Sequence, residues 1–157
     1  MNASDYVFQY YFDDVVGTFL GHSEHLAHAA LSLDIPQFGL ARSLLLGQSV
    51  ELSLKAWILA KRLSPGIDAK EAVSCVRIQF GHDLRELWNA AIADGLALDV
   101  TPPRWFEFLA VTHDRPYQLR YPTTATAFRV LDDDSCNLVI ALCERVAASL
   151  HRAKRNA

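Results

Sequence analysis

Between Gln37 and Leu63 the chain places Leu40, Leu44, Leu45, Leu46, Val50, Leu52, Leu54, Trp57, Ile58 and Leu59 on nearly every side of a helix. A helix with no polar face belongs inside a protein, surrounded by other elements. Gly39, Ala41, Ser43, Gly47, Ser49, Ser53 and Ala60 are interspersed along it, and small residues let neighbouring helix backbones approach closely. The pattern predicts a central buried helix with several helical neighbours. It also sets a problem, because Glu51 and Lys55 lie within it.

The rest of the chain supplies those neighbours. From about Asp5 to Leu33, Phe8, Phe12, Val15, Phe19, His22, Leu26, Ala29 and Leu33 alternate at spacings of four and three along one face. At about 1.5 Å per residue this helix would run roughly 40 Å, more than one small core covers, so a second helix or a second subunit is expected beside it. Asp34-Ile35-Pro36 makes the break, with Pro36 suited to a first helical turn. Ser64-Pro65-Gly66 ends the central helix. Asp68 with Glu71, and Asp83 with Glu86, form capping-box patterns for two short helices, the second ending at Asp94-Gly95. Thr101-Pro102 reads as cap and first-turn proline of a third, through Trp105, Phe106, Leu109 and Val111. His113 to Thr126, punctuated by Pro116 and Pro122, holds no period and reads as a loop. The last helix is expected from Asp132 to Lys154, with acids at its start and Arg152, Lys154 and Arg155 at its end matching the macrodipole. No segment reads as a strand. The expected fold is an all-α helical bundle with two long N-terminal helices, short crossing helices and a long C-terminal helix.

A chain of 157 residues fits one domain, 1–157, and buries about 70% of its unfolded surface, so it needs no disulfide or structural metal. The net charge of −3 argues against a general cationic binder of nucleic acid or anionic membranes. Cys75, Cys136 and Cys143 form no Cys-x-x-Cys pair and read as reduced thiols. Cys136 and Cys143 share a helical face suited to a core or a dimer seam. The N-terminus lacks a basic segment followed by an apolar run, and no stretch is long enough to span a membrane, so a soluble cytoplasmic protein is expected.

Three motifs then stand in order: Ser49-Val50-Glu51-Leu52-Ser53-Leu54-Lys55-Ala56, Gly81-His82-Asp83-Leu84 with Leu87, and Arg120-Tyr121-Pro122. In that order and helical setting the chain resembles the HEPN superfamily of bacterial helical domains. The resemblance implies a homodimeric bundle in a toxin-antitoxin, defence or nucleotidyltransferase-linked system, with a protein such as a nucleotidyltransferase as partner and no cofactor. Some members are metal-independent ribonucleases; others partner small nucleotidyltransferases or have no catalysis. The nuclease members carry Arg, four to six residues, then His, with a polar residue after the Arg, near the last long helix. Here Arg145 and His151 have five residues between them, and Arg77 and His82 have four. Arg145 is followed by apolar Val146, and Arg77 precedes the third principal helix, so both depart from the pattern. The expectation is therefore a non-catalytic interaction or binding module. The alternative is a metal-independent ribonuclease in which Arg145 stabilises phosphate charge and His151 transfers a proton.

Other clusters have simpler readings. His22, His25 and His28 are spaced to clasp a transition metal in principle, but they sweep about 120° of helix surface, which makes a site shared by all three awkward; the favoured reading has His22, on the apolar seam, partly buried. No phosphate-binding glycine loop, nucleophile elbow or zinc-protease helix is present. Arg115, Tyr117, Arg120 and Tyr121 mix cations with rings, which suits phosphates and unpaired bases but equally suits a loop pinned to the bundle. Pinning is favoured, and RNA has no motif in its support. A carboxylate buried at Glu51 needs more than an i,i+4 lysine, worth about 0.2–0.5 kcal/mol when exposed. Arg120 is accordingly expected to reach Glu51 with its planar fork.

Overall fold

The computed structural model describes residues 15–63, 67–114 and 130–155. These form six helices and no strand: α1 (Val15–Leu31), α2 (Ile35–Arg62), α3 (Ala69–Phe80), α4 (Leu84–Ala93), α5 (Arg104–His113) and α6 (Asp133–Arg155). The all-α bundle expected from the sequence is the fold observed. α2 runs through the middle and touches each of the other five helices. α1 and α6 pack against it and each other, while α3, α4 and α5 pack around it as well.

Pro36 lies in the first turn of α2 as its fixed φ favours, and a single non-helical residue, Phe38, kinks the helix near its start. From Ser53 to Leu59 every residue is buried. The close approach expected of its small residues is realised where the Ser49 hydroxyl donates to the Ser23 carbonyl of α1 at 2.7 Å. α1 itself differs from expectation by one position. Its buried residues are Val16, Gly21, Ser23, Ala27 and Ala30, whereas Val15 and Phe19 are half-buried and His22 and Ala29 are exposed. Close packing on α2 selects the small-residue face, which a hydropathy pattern ranks below Phe19 and Leu26. Residues 5–14, which carry Phe8 and Phe12, lie outside the described residues.

Two of the three expected caps need correction. Asp83 caps α4 by accepting from the Glu86 N–H at 3.0 Å, but Asp68 makes no side-chain cap to α3. The residue capping α5 is Pro103, not Thr101. α3 is lightly held: it buries only Ala72, Val76 and Phe80.

At the other end of the bundle, Arg42 of α2 is buried and donates to the Leu33 carbonyl at 3.1 Å, to the Cys136 sulfur at 2.9 and 3.1 Å, and to Asp133. One guanidinium thus ties the exit of α1 to the start of α6. Cys136 and Cys143 are both core residues; burial pushes both thiols up, against the pull of Arg42 on the first and of Ser49 on the second. Among the described residues no helix is long and apolar enough to cross a membrane.

Candidate functional site

Glu51 projects from the middle of α2 and is 5% exposed. Three side chains converge on its carboxylate. Lys55, one turn on and itself 6% exposed, donates its Nζ to Oε1 at 2.7 Å and to the Gly81 carbonyl at 2.6 Å. His113, the last residue of α5, brings Nε2 within 2.7 Å of Oε2. His82, in the turn between α3 and α4, brings Nδ1 within 3.0 Å of both oxygens. An ionised carboxylate only accepts, so each of these ring nitrogens carries the proton and donates. The His82 side chain is 39% exposed and forms the outer edge of the cluster.

The backbone makes this convergence possible. Gly81 takes φ 54°, a conformation side chains rarely adopt, and turns the chain out of α3 so that its carbonyl meets Lys55 while His82 meets Glu51. Across the site, a Cβ on Gly47 would lie 2.5 Å from His113 Nδ1; glycine there leaves the space that the ring occupies.

Each histidine is followed by an aspartate, and both aspartates serve α4. Asp83 accepts from the Glu86 N–H, and buried Asp114 accepts from the Leu84 N–H at 2.7 Å. Two His-Asp dipeptides, His82-Asp83 and His113-Asp114, therefore each send a ring to Glu51 and a carboxylate to the N-terminus of α4, where the helix dipole favours negative charge. The result is a polar knot joining α2, α4, α5 and the α3–α4 turn.

Charge is distributed unevenly in it. Burial pushes the Glu51 carboxyl up, but the His113 hydrogen bond, the Lys55 charge and hydrogen bond, and the His82 hydrogen bond outweigh that and hold it at about 2. For Asp114 burial prevails over the Leu84 and Arg85 backbone bonds and the Arg85 charge, with the Asp83 charge adding to it, and the group is raised to about 6. The two shifts act on stability with opposite signs. Asp114 binds its proton more tightly folded than unfolded, so stability increases as pH falls from about 6 towards 3.8. Glu51 binds its proton less tightly folded, so its contribution is lost as pH falls from 4.5 towards about 2. Thermal unfolding should accordingly show a midpoint that rises from pH 7 to about pH 5 and falls below about pH 4. Asp114→Asn, whose amide oxygen still accepts from Leu84, should abolish the rise and add on the order of 1 kcal/mol at pH 8. An unchanged profile would count against a buried Asp114 charge.

Glu51, His82 and His113 also offer three metal-ligand atoms within 4.8 Å of one another. A cation placed there would face the Lys55 ammonium. Moreover, His113 would have to move its proton to Nδ1, which is buried with no hydrogen-bond partner among the described residues, whereas a metal-bound histidine donates from its other ring nitrogen to an acceptor. The donor set fits shared protons better than a metal ion.

Of the residues singled out in the sequence, Glu51, Lys55, His82 and Asp83 come together. Arg115, Tyr117, Arg120 and Tyr121 lie outside the described residues, and with them the expected Arg120 pairing. Arg145 and His151 are exposed on α6. His22, expected on a partly buried seam, is exposed, as are His25 and His28. His113 and Asp114 fall where the sequence reads as a loop, and sequence reasoning misses them as site residues; the repeated His-Asp dipeptide, each copy at a helix boundary, is the signal that could have found them. Comparison with family models, curated proteins and solved structures finds no match to this chain.

Proposed function

We propose that this chain is a HEPN-like helical module that works by binding, as a homodimer and with a protein partner such as a nucleotidyltransferase, and that it carries no ribonuclease chemistry of its own. The observation that carries this reading is the fate of the residues behind the resemblance. Glu51 and Lys55, both buried, and His82 at the edge of the cluster are bonded to one another, where they hold helices together. The pair that a ribonuclease would use is arranged differently. Arg145 and His151 are six positions apart on α6, about 240° around its axis, and both face solvent. Among the described residues of one subunit, Arg145 borders a hollow with Trp88 and Trp105 that His151 does not line, so the two do not bring a phosphate and a proton donor together.

Purified protein incubated with single-stranded RNA should leave it intact. Cleavage that disappears in His151→Ala, with helicity unchanged by circular dichroism, would establish the ribonuclease alternative instead. Co-purification with a nucleotidyltransferase encoded beside this chain would support the binding reading directly.

A further inference from the structure

The outer face of α6 carries an exposed pattern. Asp134, Leu138, Ala141, Arg145 and Ala148 are all exposed and follow one another at spacings of four, three, four and three. That spacing keeps them within about 40° of one line along the helix, the repeat of a helix seam. Leu138, at the middle, is 52% exposed. Neither Asp134 nor Arg145 takes part in an ion pair within the subunit among the described residues.

We infer that this stripe is the seam with a second copy of the chain, in which two α6 helices pack antiparallel about a two-fold axis between Leu138 and Ala141. The inference rests on the homodimer in the reading above and locates it. A two-fold interface must be complementary to itself, and this stripe is. Turned end over end about that axis, Asp134 meets the partner's Arg145 and Arg145 meets the partner's Asp134. The same operation sets Leu138 against the partner's Ala141, large against small, as interdigitating helices require. Leu138, Ala141 and Arg145 of the stripe border a hollow of about 210 Å³ whose other walls include Trp88, Trp105 and Leu142, and the partner's Leu138 is set beside it. The other register-neutral choice, a parallel pair, would set Asp134 on the partner's Asp134 and Arg145 on the partner's Arg145. Charge thus selects both orientation and register, while Leu138 and the hollow supply apolar contact.

Sedimentation equilibrium on the full chain tests this. The wild type should be a dimer at about 50 µM, within the concentration range where a specific interface of modest size is populated. Leu138→Glu should be monomeric. Asp134→Arg alone should weaken the dimer by about tenfold or more, because each introduced arginine faces the partner's Arg145, and adding Arg145→Asp should restore it to within about threefold. All the substituted positions are solvent-facing, and circular dichroism should show the same helicity throughout. A monomeric wild type would overturn both the homodimer and its seam. A wild-type dimer that survives Leu138→Glu, or a double swap that restores nothing, would overturn the seam alone and leave the homodimer standing.

Discussion

Glu51→Gln is expected to cost the fold about 3–5 kcal/mol, the effect of removing one partner from a buried ion pair. Glutamine keeps the shape but not the charge, and its amide end presents donors to a site already occupied by donors. Lys55 then holds its ammonium inside the protein between the Gly81 carbonyl and a neutral amide oxygen, with no opposing charge from position 51. For a domain of this size the loss corresponds to a fall of about 10 °C or more in the thermal midpoint. The converse change is milder. Lys55→Met leaves the Glu51 carboxylate its hydrogen bonds from His82 and His113, so about 1–3 kcal/mol is expected. The double variant Glu51→Leu with Lys55→Met should be less damaging than Glu51→Gln alone, because no charge is stranded. Equal losses for all three would show that the carboxylate is not the centre of the cluster.

Gly47→Ala is expected to destabilise where a glycine-to-alanine change inside a helix ordinarily helps by about 1 kcal/mol. The added methyl would lie 2.5 Å from His113 Nδ1 and 2.9 Å from its Cγ, distances that no packed carbon tolerates. The ring has little freedom to retreat, since Nε2 is held by Glu51 on its far side. Overpacking of this kind costs about 1–3 kcal/mol, and the displaced His113–Glu51 bond adds about 1.5–3 kcal/mol as a hydrogen bond to a charged group. In a His113→Ala background the added methyl should be tolerated far better than in the wild type, which chemical denaturation can measure. If the two changes add independently, the contact between α2 and the ring is not what glycine protects.

Much of the fold is legible because helix boundaries and central burial leave local marks. The apolar run of α2, the Asp83-to-Glu86 cap and the acids before α6 each act within a few residues of where they are written. The burial of Glu51 follows from the same run. What cannot be read locally is which face of α1 packs, because the close contact of Ser23 with Ser49 depends on small residues in both helices at once. The centre itself joins positions 51, 82 and 113, and a sequence names its members without their distances. Glu51 and His82 are marked by their motifs. His113 stands at a boundary where periodicity has already faded into the following loop, and Arg42, which binds α1 to α6, is a single charge in an apolar run with nothing nearby in sequence to mark its partner Asp133.

The light anchoring of α3 has a consequence for how the protein opens in its native state. Twelve residues with three buried side chains form a unit whose amide hydrogens should exchange through openings much smaller than global unfolding, ahead of those in α2. The opening has a definite limit at Gly81, where the carbonyl is held by Lys55 and the chain turns into the His82 side of the knot. Deuterium uptake should therefore change sharply between α3 and α4, with slow exchange resuming at the Leu84 amide that Asp114 secures. The buried ion pair then acts as a boundary between two cooperative units, one that breathes and one that does not.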